Sequence, residues 1–278
     1  MASSAKRHIV IVNDCAHVME DLIPYLSKSY HIDFIQRSRA RYSKTLGILV
    51  DILKARGDIF HVNYALQDAF MVDTLKGKLD LLHVHGSDVR TTMNSPLGWM
   101  VKRDLKHAKK VIYATPDLEI PVRKYRDDAD YLPTPIDTFK FAPKDKYNQV
   151  PKALYFILKY ERLPERLEDL LRSNGIELHI LNRNIPYRDM PSLLRNFDIF
   201  IDRFTIDSFS KTCLESMSVG LATIDYRHKL NLEERVGVLS ETGNVEREGR
   251  SNRLYAISNH EVGKVSKILS GFYEDLLN

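Results

Sequence analysis

Cysteines and long apolar runs are scarce in this sequence. The 278 residues include two cysteines, Cys15 and Cys213, which lie far apart and belong to no metal-ligand pattern. Two such thiols are typical of a reduced intracellular protein and argue against a disulfide-stabilised secreted one. No run approaches the roughly 18 apolar residues that a membrane-spanning helix needs, and the first residues are too polar for a signal peptide. We therefore expect a cytoplasmic protein.

The excess of one sign of charge over the other is also small. The 41 Lys and Arg residues against 37 Asp and Glu residues give a formal charge of +4. This excess is too small to indicate a nucleic-acid-binding protein, but it fits an enzyme with an anionic substrate. Basic residues concentrate in QRSRARYSK (36–44) and KRDLKHAKK (102–110). These runs are either solvated surface or a patch that attracts anionic lipid head groups, which would make the protein peripheral at a membrane.

Two nucleotide-binding motifs and any convincing metal motif are absent. Neither G-x-G-x-x-G nor G-x-x-x-x-G-K-[ST] occurs in the chain, which argues against a dinucleotide-dependent dehydrogenase and a P-loop enzyme. No motif places a third ligand beside His83-x-His85. Asp128-x-Asp130 lies in a charged patch, where solvated surface acids are the simpler interpretation. We expect neither a metal nor another cofactor.

What the sequence does contain is a regular alternation of apolar and amphipathic segments. HIVIV (8–12) has the pattern of a buried strand, and apolar residues at helical spacing follow it in VMEDLIPYLSKS. The alternation continues to about residue 133. Strands that are apolar throughout and are separated by helices indicate a parallel sheet covered on both faces.

A proline-rich segment interrupts this alternation. YLPTPIDTFKFAPKDKYNQVPK (131–152) has four prolines and no periodicity, as expected for a domain crossing. We predict an α/β protein with two Rossmann-like, doubly wound domains, 1–142 and 143–259, and a C-terminal helix over 260–278 that packs back on the first. The best ligand site of such a protein is the cleft between its domains, outside the carboxyl ends of the strands.

The stretch DSFSKTCLESMSVGLATID (207–225) contains the most informative polar residues. A helix should begin near Ser210, with Ser208 or Ser210 as its N-cap. Helix starts favour anions, so a diphosphate fits there with Lys211 as an additional cation. Glu215, one turn further on, can accept hydrogen bonds from two adjacent hydroxyls of a ribose, and Asp207 can reach the group attached to the phosphates. The alternative is that these are ordinary caps and surface acids.

Three stretches resemble one enzyme family. Asp207 and Glu215, followed by SMSVGLATI, resemble the E-x7-E signature of retaining GT-B glycosyltransferases related to glycogen and sucrose synthases. LLHVHGSDVR (81–90) resembles the strand-end histidine segment of their first domain. VIYATPDL (111–118) with YLPTPIDTFKFAP (131–143) resembles the last strand of that domain and the passage between the domains. The resemblance implies transfer of a sugar, without a metal, from a nucleoside diphosphate sugar to a hydroxyl of a glycan, lipid or small-molecule acceptor.

The resemblance also implies roles for individual residues. His85 and Asp207 would contact the transferred sugar and Glu215 the ribose. The remaining donor-binding residues would be Gly86, Ser87, Ser208, Phe209, Ser210, Lys211 and the diphosphate cations Lys159, Arg162 and Arg166.

The sequence also departs from the family pattern. Asp207 and Ser210 replace the usual glutamate and glycine, and NDCAHVMED (13–21) has no glycine. A catalytically silent binding subunit and a sugar-nucleotide epimerase or phosphorylase of the same architecture therefore remain alternatives.

Overall fold

The chain forms two compact units. The computed structural model of the protein describes residues 6–36, 46–159 and 161–278. The first unit contains Met1–Pro135 and Val262–Asn278, and the second is the continuous segment Ile136–Glu261. The boundary predicted from the sequence, between residues 142 and 143, lies slightly after the observed crossing. The helix predicted over 260–278 corresponds to one at Val262–Leu277, which belongs to the first unit.

Strands and helices alternate along the chain. The strands are β1 (His8–Val12), β2 (His31–Ile35), β3 (Ile59–Asn63), β4 (Leu81–Val84), β5 (Lys110–Tyr113), β6 (Asp130–Tyr131), β7 (Lys152–Phe156), β8 (Glu177–Leu181), β9 (Ile199–Ile201) and β10 (Ala222–Ile224). The helices are α1 (Val18–Leu26), α2 (Leu46–Lys54), α3 (Gln67–Lys76), α4 (Ser87–Arg90), α5 (Gly98–His107), α6 (Glu119–Arg123), α7 (Glu165–Ser173), α8 (Met190–Leu194), α9 (Lys211–Val219), α10 (Leu232–Ser240), α11 (Asn244–His260) and α12 (Val262–Leu277).

The first unit is built on a parallel sheet with the strand order β2-β1-β3-β4-β5-β6. Alternate residues of each strand point to opposite faces. Val10 and Val12 of β1 join the core under α2, α3 and α5, whereas Ile9 and Ile11 join the core under α1 and α12. Both faces are covered, which explains why the strand is apolar throughout. Tyr273 of α12 is fully buried in the second of these cores.

The second unit repeats this plan with a smaller parallel sheet, in the order β10-β9-β7-β8. Leu154 and Phe156 of β7 pack under α8 and α9, and Ala153 and Tyr155 pack under α7 and α10. The two doubly wound parallel sheets predicted from the sequence are thus present, one in each unit.

Three helices were not predicted from the sequence, namely α4, α10 and α11. Helix α10 has an interior glycine, Gly237, and α11 has another, Gly249. Glycine is unfavourable inside helices and weakens the sequence signal. At Gly249 the glycine has a packing reason, because a Cβ there would lie 2.0 Å from the Gly220 carbonyl oxygen at the end of α9.

Candidate functional site

The strand order places one topological switch point in each unit. In the first unit β1 lies between β2 and β3, and in the second β7 lies between β8 and β9. The chain order reverses between β1 and β3 and between β7 and β9. The loops after these two neighbouring strands leave toward opposite faces of the sheet. This opens a crevice at the carboxyl edge, where ligands of doubly wound proteins bind. Most of the residues singled out from the sequence follow one of these strands.

In the second unit, the loop after β9 leads into α9. Helix α9 begins at Lys211 and Ser210 is its N-cap, since the Ser210 hydroxyl accepts a hydrogen bond from the Cys213 amide at 3.0 Å. This confirms the predicted helix start. The carboxylate of Asp202, directly after β9, accepts a hydrogen bond from the Ser210 amide at 2.8 Å, and burial raises the pKa of Asp202. The helix start is therefore anchored to the end of the strand.

Two arginines that the sequence analysis missed lie beside this helix start. Arg183, in the loop after β8, donates a hydrogen bond from Nη2 to the Thr212 hydroxyl at 3.1 Å. Arg203 donates to the Ser208 carbonyl oxygen at 3.4 Å and to its hydroxyl at 3.3 Å. Arg183, Arg203, Ser210 and Thr212 line one crevice at the carboxyl edge. Arg183 carried no sequence signal beyond its place in LNRN (181–184), directly after a strand.

A second pocket, of about 490 Å³, follows β7 and shares Leu158 with this crevice. Lys159 and Arg162 line it together with Glu161. The Glu161 carboxylate accepts hydrogen bonds from the Phe204 amide at 2.5 Å and the Thr205 hydroxyl at 2.6 Å, which connects the loop after β7 to the loop after β9.

Arg166 does not join the other two predicted cations. Its exposed guanidinium pairs with Glu233, and it lines a different pocket, next to α10.

Glu215 lies inside α9 and its side chain is 3% exposed. The Lys211 side chain is 6% exposed, and its ammonium lies 3.8 Å from Glu215 Oε1 and 4.9 Å from the centre of the Tyr187 ring. These two predicted donor ligands are thus neighbours in a buried position. They do not line the crevice that contains Ser210 and Thr212.

The loop before α9 contains the other predicted donor residues. Asp207 is exposed, and its carboxylate lies 3.0 Å from the Lys229 ammonium. Ser208 is buried. The Phe209 ring packs edge-to-face on Tyr226, and the Arg227 guanidinium lies 4.8 Å from its centre.

In the first unit, His85 follows β4 at the carboxyl edge, as predicted. Its Nε2 lies 3.0 Å from the Asn63 side-chain oxygen at the end of β3. Gly86 has φ +136°, and the Arg90 side chain occupies the space where a Cβ would lie, so this position requires glycine. The Ser87 hydroxyl bonds to the Tyr64 hydroxyl at 2.7 Å.

His85 ends a row of histidines that runs along the sheet. Its ring centre lies 4.0 Å from that of His83, which lies 5.8 Å from that of His61. The Tyr273 hydroxyl of α12 bonds to His61 Nδ1 at 2.7 Å. Burial, with a smaller contribution from His85, lowers the pKa of His61 to about 3 and lowers that of His83 well below its usual value. The two buried rings are therefore neutral.

The loop after β1 has an unusual backbone. Asn13, Ala16 and His17 have positive φ angles of 66°, 53° and 61°, the region that favours glycine. The family that the sequence resembles often has glycines in this turn. The chain thus adopts a left-handed loop at the first unit's switch point without them. Strain of this kind concentrates at functional sites.

No family model matches the chain, and no curated protein matches its sequence. Solved structures do match. The N-terminal domain of trehalose-6-phosphate phosphatase from Candida albicans has a TM-score of 0.63 at 8% identity over 98% of this chain and 100% of that one. A TarM mutant from S. aureus, solved with fondaparinux, α-GlcNAc-glycerol and UDP, has a TM-score of 0.59 at 10% identity over 84% of this chain.

A third match is UDP-N-acetylglucosamine 2-epimerase from Rickettsia bellii, with a TM-score of 0.52 at 11% identity over 99% of this chain and 97% of that one. This chain spans 59% of the TarM chain. TarM is a GT-B glycosyltransferase and the epimerase is GT-B-like. The chain has a GT-B-like fold.

Within this GT-B-like fold, the acids that suggested a metal motif have other partners. The Asp128 carboxylate pairs with Arg126 at 2.5 Å and that of Asp130 with Lys110 at 2.5 Å. In the part of the chain that the structure describes, the one group of three side chains whose ligand atoms are close enough to hold a metal ion is His8, His31 and Asp33, at the amino edge of the first sheet.

The structure describes all of the second basic run, 102–110, but little of the first, 36–44. Residues 37–44 of the first run lie outside the described residues. In the second run, Arg103 pairs with Asp73 at 2.6 Å and Lys109 with Asp80 at 2.8 Å. Among the described helices, none combines the length and apolar character that crossing a bilayer requires.

Proposed function

We propose that this protein transfers a sugar from a nucleoside diphosphate sugar to an acceptor hydroxyl, with retention at the anomeric carbon and without a metal. The observation that carries the proposal is the cationic crevice at the start of α9, where the Arg183 guanidinium contacts Thr212 next to the N-cap Ser210. A helix start and a guanidinium both stabilise negative charge. A diphosphate bound there would receive both contributions.

Catalysis would consist mainly of positioning and charge stabilisation. Negative charge develops on the diphosphate as the bond to the sugar breaks. Arg183 at the crevice, with Lys159 and Arg162 in the adjoining pocket, would stabilise this charge. Arg166 plays no part in this proposal, because it is paired with Glu233 beside α10.

His85 and Asp207 keep their proposed roles as ligands of the transferred sugar. Asn63 fixes the orientation of the His85 ring, and Lys229 accompanies Asp207. Gly86 and Ser87 would provide the backbone around His85, and Ser208 and Phe209 the backbone around Asp207. We also propose that the two units face each other across a cleft, so that one donor molecule touches the residues around His85 and those around Asp207.

Glu215 would hold the ribose hydroxyls. Its carboxylate is buried beside the Lys211 ammonium, which would hold the carboxylate in position as it meets the donor. Burial strengthens a hydrogen bond to an ionised acceptor. The acceptor would be a glycan, a lipid or a small molecule, and a lipid acceptor would bring the protein to an anionic membrane surface.

Calorimetric titration with UDP-, GDP- and ADP-sugars tests whether the crevice at the start of α9 binds the donor. We expect Arg183→Ala to weaken binding of the preferred nucleotide sugar at least tenfold, which corresponds to about 1.4 kcal/mol. Arg188→Ala is the matched control, because the Arg188 side chain is 86% exposed beside Asp189. Equal affinity of the wild type and Arg183→Ala for every nucleotide sugar that binds would refute the assignment of the crevice.

Glu215 needs a test that separates ribose binding from stability. Glu215→Gln and Lys211→Met each disrupt the buried pair, and both are expected to lower the unfolding midpoint. Lys211 is itself proposed as an additional cation for the diphosphate, so the test uses the nucleoside, which lacks the phosphates. Only Glu215→Gln should weaken nucleoside binding strongly. If the two variants lose nucleoside affinity equally, Glu215 acts through the pair and is not a ribose ligand.

Two other functions have specific support. The match to a 2-epimerase extends over nearly the whole of both chains, and an epimerase would change the configuration of the donor sugar without any acceptor. The exposed Asp207, which is paired with Lys229, favours a silent binding module. Analysis of the products formed from a bound nucleotide sugar distinguishes the three: glycosylated acceptor, epimerised sugar, or unchanged donor.

A further inference from the structure

Two histidines and an aspartate converge at the amino edge of the first sheet, opposite the carboxyl edge that contains His85. His8 and His31 are register partners on the neighbouring strands β1 and β2, and their ring centres lie 4.5 Å apart. Asp33 follows His31 by two positions, so both side chains project from the same face of β2. One nitrogen of each histidine and one Asp33 oxygen lie within 4.8 Å of one another.

We propose that this group binds a divalent transition-metal ion, with zinc as the preferred occupant. Zinc takes histidine nitrogen and carboxylate oxygen at about 2.0–2.2 Å in tetrahedral sites, which separates neighbouring ligand atoms by about 3.3 Å. His8 Nε2 lies 2.9 Å and His31 Nε2 lies 3.7 Å from the Asp33 oxygens. Both separations are within reach of that value through small side-chain rotations.

The geometry of His8 supports a shared cation. Its Nε2 is buried and lies 2.9 Å from Asp33 Oδ2, without the alignment of a hydrogen bond. A histidine nitrogen and a carboxylate oxygen at this separation can serve as two ligands of one metal ion. The His8 amide donates to the Asp58 carboxylate at 2.9 Å, which fixes the backbone under the ligand.

The bound ion would secure an edge strand. Among the described strands, β2 is the last on its side of the sheet, and exposed edges are prone to pairing with other chains. The ion would join β2 to β1 at the end where both strands begin. Three protein ligands leave a fourth position for water, as in open zinc sites.

Titration of the full, metal-free chain tests the proposal. We expect one zinc ion per chain by calorimetry, a cobalt spectrum with the visible bands of tetrahedral coordination, and a higher unfolding midpoint with zinc. His31→Ala and Asp33→Asn should each weaken zinc binding at least tenfold and abolish the rise in midpoint. Both side chains are about half exposed or more, so both variants should fold.

His17→Ala is the matched control, because His17 contacts a carboxylate, Glu20, at 2.6 Å but belongs to no group of three possible metal ligands among the described residues. It should leave zinc binding unchanged. The proposal would be overturned if the wild type and His31→Ala bound zinc with the same affinity, or if His17→Ala lost as much zinc affinity as His31→Ala. Either result would mean that zinc binds only to scattered surface histidines.

Discussion

At the residue scale, the chain contains polar side chains whose states depend on where the fold buries them. His61 and His83 occupy strand positions where the sequence pattern alone predicts apolar residues. Tyr273, more than 200 positions away in the sequence, provides the hydrogen-bond partner of His61. The sequence predicted the place of His85 at a strand end but had no means of revealing the neutral histidine row behind it, because that row depends on α12.

The buried histidines should make the stability of the protein depend on pH. The pKa of His61 falls from 6.5 in the unfolded chain to about 3 in the fold, so the unfolded state binds a proton that the folded state excludes between these values. The stabilisation is fully present above pH 6.5 and is lost as the pH falls toward 3, by up to about 1.4 kcal/mol per pH unit. Urea unfolding of His61→Gln between pH 7 and 5 should show a shallower loss of stability than the wild type.

His107→Gln is the control for this experiment, because His107 lies on the surface of α5 and is half exposed. It should keep the wild-type slope. A His61→Gln slope as steep as that of the wild type would mean that the His61 ring is protonated in the fold.

Some residues of the candidate site could also be predicted from the local sequence, whereas others are brought to the site only by the fold. Ser210 was predictable as an N-cap because capping is local. Arg183 was not predictable, because it contacts Thr212 through the packing of the β8 loop against α9. Such a contact leaves no trace in the spacing of residues along the chain.

At the element scale, the strands were the predictable part of the fold and the polar helices the unpredictable part. Uninterrupted apolar runs such as β1 have few alternatives to a buried strand. Helix α11 is mostly polar, and its place is decided by the close approach of Gly249 to Gly220. The reason for the glycine is therefore a contact with another element rather than a local conformational preference.

This contact leads to a paired prediction. Gly249→Ala should destabilise the protein by about 1–3 kcal/mol, because the added methyl would meet the backbone of Gly220 and the Tyr147 hydroxyl. Gly237→Ala, in the interior of α10, meets no atom within 4 Å and should stabilise the protein by about 0.5–1 kcal/mol. Chemical unfolding of the two variants measures both. Equal effects would show that α11 and α9 are less tightly packed than the structure has them.

At the scale of the whole molecule, the first unit includes the last helix of the chain. Helix α12 contributes Val265, Leu269 and Tyr273 to the core under α1. Sequence periodicity predicted this amphipathic helix, and the helix was expected to pack back on the first domain. The division of the chain between the units shows that α12 is part of the first unit.

Substitutions in α12 should therefore act on one unit. Leu269→Ala is expected to cost about 2–5 kcal/mol through the cavity it leaves. Hydrogen exchange should show faster opening of β1 and β3 and unchanged protection of β7 and β9. Ile268→Ala, at a neighbouring position that is 43% exposed, should change stability by less than about 0.5 kcal/mol. Equal loss of protection in both sheets would show that they unfold as one body.

The division of the chain also has a consequence for its synthesis. The second unit is one continuous stretch, and its ends meet, since the Ile136 amide donates to the His260 carbonyl oxygen at 2.7 Å. A ribosome thus begins the first unit, completes the whole of the second, and only then supplies the helix that closes the first. The unit that emerges earliest is the last to be completed, because the face of α1 in its core stays uncovered until α12 has been synthesised.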